Sequence, residues 1–356
     1  MLIPILGVHP SKLESIIAER FPKYRVKQLL QWLYTHFTTD LKQMKNLPAD
    51  FKEYLQSTFS FDIPLVDGKV VSKDGSAKFR LKLKDGHVIE SVLIPDAKKN
   101  TLCVSSQVGC SRKCSFCATG KMGLIRNLSV DEIVAQIVIA EMECKLFAKE
   151  STLNASIRVS RVTNLVFMGM GEPLDNLDNV LEALRIIQSD ATLAFSPRRT
   201  TVSTCGVVPG IISFADSGVR AKLAISLNSA IDEKRNSLMP INRKYPLHEL
   251  KQASLYYLRK TNFRITYEYV LLPEHNMGKA DLIALRKFVG DLSCKINFIP
   301  YNPGPGSTFG SPTPKQVDDF MQMAQSLPQA IMLRKSRGAD VFGACGQLSN
   351  NNVEKL

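Results

Sequence analysis

The sequence predicts an α/β protein whose core is an open, partial (β/α)6 barrel, preceded by a small helical region and a β-hairpin extension. Three observations carry this. From about residue 100 onward, short apolar strand segments alternate with stretches of helical period, the pattern of βα units laid on a parallel sheet. Residues 69–94 instead follow a two-residue alternation around a turn. Residues 10–60 carry apolar residues at helical spacing.

The elements follow in chain order. In the first region, residues 1–62, Leu13, Ile16 and Ile17 share a helical spacing, as do Val26, Leu29, Leu30 and Leu33. Pro48 interrupts before a further helix around 50–58. Lys23, Arg25 and Lys27 form either a solvated face or a contact for a polyanion. In the second region, residues 63–98, Phe79, Leu81 and Leu83 alternate with Lys78, Arg80, Lys82 and Lys84, and Asp85-Gly86 marks the turn. Val88, Glu90, Val92 and Ile94 then share one face. A carboxylate on an apolar face is costly unless paired or protonated. Glu90 is therefore either a structural partner in a pair or a group tuned for proton transfer.

The third region, residues 99–348, holds strands at 101–106, 162–168, 200–205, 221–227, 264–271, 295–300 and 330–334. Helices at 129–148, 176–188, 208–217, 247–260, 279–291 and 314–326 fall between them. In such sheets sites gather at the carboxyl ends of the strands. Residues 349–356 are polar and read as a frayed tail. No repeat of fixed period and no low-complexity stretch is present.

Composition bounds the function. The 356 residues carry a net charge of +13 and 44% apolar side chains, enough for a sizeable core. The charge fits a polyanionic partner, nucleic acid first, or simply a basic soluble enzyme. Dense spots lie at Arg112-Lys113, Arg198-Arg199, Arg243-Lys244 and Arg334-Lys335-Arg337. No apolar run approaches the ~20 residues of a membrane span, and Met1 to Leu6 lacks the features of a signal peptide. Eight cysteines without a secreted-type spacing argue against a disulfide framework. Cytoplasm fits both.

Three of those cysteines, Cys110, Cys114 and Cys117, follow the first strand of the core in a C-x3-C-x2-C run. A [4Fe–4S] cage takes four thiolates, so three leave one iron open to a ligand. A zinc site is the competing reading. Structural zinc takes four ligands, in pairs well apart in sequence; no second pair exists here, and no His lies within about twenty residues. Further polar groups recur at strand ends. Phe167-Met168-Gly169-Met170-Gly171-Glu172-Pro173 follows the second strand, and its glycines suit close approach of a ligand. Ser203 ends the third strand, Ser226-Leu227-Asn228 the fourth, and Asn302 follows the sixth. Each is either a loop cap or a ligand contact. Cys345, in Gly343-Ala344-Cys345-Gly346-Gln347-Leu348, and Cys103, before the cysteine run, are either inert or reactive; Cys144, Cys205 and Cys294 read as inert.

The cysteine spacing resembles that of the radical S-adenosylmethionine (SAM) superfamily. The run Thr101 to Cys110, the cysteine loop, Gly169 to Pro173 and Gly343 to Leu348 together resemble the RlmN/Cfr family of radical-SAM RNA methyltransferases, over nearly the whole chain. The resemblance implies a radical-SAM barrel at 99–348 with an RNA-binding accessory domain at 1–62. It implies a [4Fe–4S] cluster on Cys110, Cys114 and Cys117, and SAM, two per turnover, held by Gly171, Glu172, Ser203, Ser226, Leu227, Asn228 and Asn302. It also implies methylation of C2 of an adenosine in 23S rRNA and of adenosine-37 in tRNA. Adenine C2 is electron-poor, so a radical route replaces ordinary methyl transfer. In the implied scheme Cys345 is first methylated and a SAM-derived radical removes a hydrogen from that methyl. The resulting carbon adds to adenine as a protein–RNA adduct. Glu90 then accepts the ring proton, and Cys103 releases the product through a transient disulfide with Cys345. An electron donor, flavodoxin-like or similar, is implied, and no membrane. The sequence departs from the family at Asn228, where a histidine is usual; an amide keeps a hydrogen bond but does not titrate. The alternative within the family is Cfr-type C8 methylation of the same rRNA adenosine, which confers antibiotic resistance. Phe195 to Arg199 looks Cfr-like, Gly169 to Pro173 RlmN-like. Outside it stand a non-RNA radical-SAM enzyme and a non-enzymatic RNA-binding module with a structural cluster.

Overall fold

The computed structural model describes residues 2–96, 99–150, 161–304 and 307–349. The expected tail lies, apart from Ser349, outside the described residues.

The amino-terminal region packs helices Pro10–Ala18, Tyr24–Gln31 and Ala49–Thr58. Their apolar stripes, Leu13, Ile17, Leu29, Phe51 and Leu55, are fully buried. Burying one such side chain contributes about 1.5–3 kcal/mol. His9 starts the first helix by accepting a hydrogen bond from the Ser11 amide, with Pro10 at the first helical position. After Tyr24–Gln31 the chain widens into a π-turn at Trp32–His36, and Phe37 in left-handed geometry ends it. Lys145 of the barrel clasps this turn, donating to the carbonyls of Thr35 and His36 at 2.8 and 3.2 Å.

Among the described residues one ten-stranded sheet forms the centre. Its strands are β1 (Leu65–Val71), β2 (Ala77–Lys82), β3 (Val88–Asp96), β4 (Lys99–Cys103), β5 (Asn164–Phe167), β6 (Thr200–Thr204), β7 (Lys222–Ser226), β8 (Ile265–Leu271), β9 (Cys294–Pro300) and β10 (Ala330–Leu333). Spatial order equals chain order. The first four strands pair antiparallel, and β4 to β10 pair parallel through six crossovers. Because parallel crossovers take one hand, strict sequential order sets every crossover helix on the same face. The sheet then curls with its other face inward, which gives the partial (β/α)6 barrel that the alternation predicts. The hairpin is not a separate appendage: β3 pairs with β4 over Val92 to Asp96, and β1 extends it to three strands.

Strand alternation sorts side chains between the two faces. In β8, Glu268 and Val270 face the interior cleft. Tyr267 turns outward and its hydroxyl donates to Ser254 on helix Leu247–Thr261 at 2.8 Å. In β4, Thr101 and Cys103 face inward. In β3, Ile94 and Asp96 face inward, while Ser91 donates to Gln136 of the outer helix Val130–Glu150.

Candidate active site

The cysteine loop is built on the carboxyl end of β4. Gln107–Cys110 pairs antiparallel with Gly123–Asn127, and the thiols of Cys110, Cys114 and Cys117 line one interior cleft of about 1060 Å³, counting its open mouth. Several contacts hold the loop. Arg112 grips Asp175 with both arms of its guanidinium. The amide of Ser115 donates to Leu238 O at 2.9 Å. The amide of Ala118 donates to Gly346 O at 2.7 Å, and the Thr119 hydroxyl donates to Leu348 O at 2.7 Å. The loop of Cys345 is thus tied directly to the residues that follow Cys117.

The donor set fits an iron–sulfur group. Burial pushes the Cys110 thiol up to about 12 and raises those of Cys114 and Cys117. Such thiols stay protonated until a metal displaces the proton. Among the described residues no three His, Cys, Asp or Glu side chains converge on a single ion. A cluster takes each thiolate on its own iron.

Gly171, Glu172, Ser203, Ser226 and Asn302 line the same cleft. Glu172 is 4% exposed, and its carboxylate accepts from the amides of Leu174 and Cys205 at 3.0 and 2.7 Å. Burial raises its pKa against those bonds. Asn302 donates to Pro300 O and to the Ser336 hydroxyl. Gly169 and Gly171 line the cleft and are also closely packed from behind. A Cβ on Gly169 would sit 2.7 Å from the Val104 backbone, and one on Gly171, at φ +100°, would sit 2.5 Å from Gln107 Cβ. Their small size serves packing against the segment after β4, with ligand access a consequence of the space kept open.

Two residues of the expected SAM set lie away from the cleft wall. Leu227 is fully buried in the core. Asn228, at φ +57°, accepts from the Val270 amide at 2.9 Å and sets its Nδ2 3.2 Å from Met239 Sδ. The amide at this position therefore braces the ends of β7 and β8.

Cys345 also lines a second chamber, of about 990 Å³ with its open mouth included, whose wall includes Cys103 and Arg334. All eight cysteines are free thiols. Burial pushes Cys103 up to about 12; the nearby Cys345 adds to the rise and Arg334 opposes it. Arg334 belongs to both cavities. Its guanidinium binds its proton more firmly through the charge of Cys345 first, then of Glu268 and Cys103.

Glu90 does not line either cavity. It is fully buried, 3.2 Å from Lys78 Nζ, with angles outside those of a hydrogen bond. Its Oε2 accepts from the Ser349 amide at 2.9 Å. Burial raises its pKa and Lys78 opposes the rise. The carboxylate is paired and also anchors the end of the Cys345 loop, so the structural half of the sequence reading is realised.

Three organising residues were not among the site residues expected from the sequence, although Arg334 stands in one of its dense basic spots. Arg235 is fully buried on Asp232–Leu238, a short helix the periodicity did not separate. It donates to the carbonyls of Cys205, Ser226 and Leu227 and to Asn242, tying the ends of β6 and β7. Glu268, inside β8, and Arg334, just after β10, lie 3.9 Å apart. Alternation within a strand marks Glu268 as inward-facing, but only the curl of the sheet brings the two together. Cys205, expected to be inert, is buried, yet it borders the cleft and its amide binds Glu172.

Known proteins agree with this architecture. A family model described as the Radical SAM superfamily matches residues 104–286. A second, the ribosomal RNA large subunit methyltransferase N-terminal domain, matches residues 3–60. The chain is 42% identical over 337 residues to the dual-specificity RNA methyltransferase RlmN of Desulfotalea psychrophila, covering 94% of this chain and 91% of that protein. It is 40% identical over 348 residues to the protein of the same name from Geobacter sulfurreducens, covering 98% and 92%. The crystal structure of a radical SAM methyltransferase from Sphaerobacter thermophilus superposes with a TM-score of 0.90 at 37% identity, covering 97% of this chain and 99% of that one. The radical-SAM superfamily implies SAM and a [4Fe–4S] cluster. Cleft, cysteine loop and full-length likeness together place the chain in the RlmN family of radical-SAM RNA methyltransferases.

Proposed function

We propose that this protein methylates C2 of an adenosine in 23S rRNA and of adenosine-37 in tRNA, with Cys345 as the methyl carrier. The observation that carries the reading is the position of Cys345, a thiol shared by a cleft holding the three-cysteine loop and a chamber holding Cys103. The relatives' name, dual-specificity RNA methyltransferase, supports two RNA substrates.

Cys110, Cys114 and Cys117 would hold the cluster, and Gly171, Glu172, Ser203, Ser226 and Asn302 would surround SAM. Bound together and reduced, these groups supply one-electron cleavage of SAM to a carbon radical. The rest falls to the chain's own side chains. Cys345 takes a methyl from one SAM on its sulfur, and a second SAM is spent on making that carbon reactive, so two are used per turnover. The link from Gly346 and Leu348 to Ala118 and Thr119 keeps the carrier beside the cluster loop. Glu90, made more basic by burial, accepts the ring proton; its bond to Ser349 must open for this step. Cys103 then attacks the Cys345 sulfur as a thiolate: a disulfide forms, the sulfur–carbon bond breaks with its electron pair left on the carbon, that carbon takes a proton to become the methyl of the freed base, and a two-electron thiol reductant resets the pair. A buried thiol resists ionisation, and the adjacent Arg334 charge offsets that resistance. An external donor of flavodoxin-like type supplies the electron.

The test is mass spectrometry of nucleosides from rRNA and tRNA treated with reconstituted, reduced enzyme and SAM. 2-Methyladenosine in both RNAs is the expected result. 8-Methyladenosine would replace this reading with the Cfr-type one.

A further inference from the structure

Cofactor binding does not account for the second chamber. Lys99, Lys335 and Arg337 are exposed on its lining, with half-buried Arg334 further in. Against these four cations stands one carboxylate on the described lining, Asp96, which already has a partner. Lys99, Lys335 and Arg337 take part in no ion pair among the described residues. By contrast Lys23, on the amino-terminal region, is engaged by Glu14 at 2.9 Å. Cations gathered around a concave surface without counter-charges raise a positive potential that concentrates anions. The same lining carries the buried thiol of Cys103 and the exposed thiol of Cys345. It therefore joins exposed cations to reactive thiols.

We propose that this chamber is the entry for the RNA strand: Lys99, Lys335 and Arg337 hold the phosphates flanking the target nucleotide, and its base passes Arg334 to reach Cys345. The proposal rests on the RNA-methylating reading and assigns that substrate its side of the barrel. Phosphate contacts position a strand without reading its sequence. The rim cations therefore set register, and the thiols set chemistry. Cofactor and substrate approach Cys345 from different cavities, so neither need leave for the other to enter.

The test is a salt titration of binding, by fluorescence anisotropy, of a labelled tRNA anticodon stem-loop to the reconstituted full-length protein. Removing one cation from a phosphate lowers the slope of log K against log salt by about one. Lys335→Ala and Arg337→Ala should each do so, and Lys99→Ala likewise. Lys287→Ala, on the outer helix Lys279–Val289, removes the same charge and should leave the slope unchanged. RNA should also protect Cys345 from iodoacetamide in the wild type and protect it less in the rim variants. Wild-type slopes in all three rim variants, with wild-type binding intact, would overturn the inference. Normal slopes combined with slow glutathione reduction of the Cys103–Cys345 disulfide would do the same and make the chamber a port for an anionic thiol. Wild-type protein that neither binds nor methylates RNA would overturn the functional reading itself, and the inference with it.

Discussion

The two cavities that meet at Cys345 are built from different materials. The cleft of the cysteine loop is walled by apolar and thiol side chains, and its acids, Glu172 and Glu268, are buried. The second chamber is lined by the thiols of buried Cys103 and exposed Cys345 and by exposed cations. A small cofactor that must be oriented needs fixed polar atoms in a dry wall. A polyanion needs accessible charge more than enclosure. One fold supplies both because the loop that carries Cys345 lines each of them.

The sharpest way to break this comparison is through the residue both cavities share. Cys345→Ala should abolish methyladenosine formation, a loss beyond a thousandfold, while the visible absorption of the reconstituted cluster stays. Product from that variant would separate the cavities chemically. Cys103→Ala touches the second chamber alone and should instead accumulate a covalent RNA adduct, seen as a slow-migrating band on denaturing gels. A clean, active variant would remove Cys103 from the release step.

A smaller effect is expected in the first cleft. Gly171→Ala forces a Cβ to 2.5 Å from Gln107 at a positive φ. It should cost about 1–3 kcal/mol of stability and weaken SAM binding by calorimetry. RNA affinity should be unchanged, and a parallel loss of RNA affinity would show that the two cavities are not independent.

The smallest effect belongs to neither cavity. Glu141, on the outer helix, is 1% exposed with Arg161 3.7 Å away, and burial raises its pKa to about 7. Between the ordinary glutamate value and 7, the unfolded chain has lost this proton and the folded protein keeps it. Stability therefore falls as pH rises through that window, by roughly 1–3 kcal/mol. Glu141→Gln should flatten the urea midpoint between pH 5 and pH 7.5 with turnover unaffected. An unflattened profile would assign the pH dependence to other groups, Glu90 and Glu172 among them.

Local chemistry made much of this legible in the chain alone. The seven parallel strands and six main crossover helices of the core follow from period and punctuation, because apolar spacing records which face a segment buries. The C-x3-C-x2-C loop is legible because thiolates for one cluster sit close in sequence. Tertiary structure decided the rest. Arg235, Arg334 and Glu268 come from separate elements, and no periodicity says that the ends of β6 and β7 will share one buried guanidinium. Gly169 and Gly171 are small because the segment after β4 presses on them, a contact between residues some sixty positions apart. The meeting of Cys103 with Cys345, from opposite ends of the core, depends on sequential strand order curling the sheet until its first and last parallel strands face a common interior. Sequence determines what each segment buries and which atoms it offers; the closure of the sheet determines which of those atoms meet.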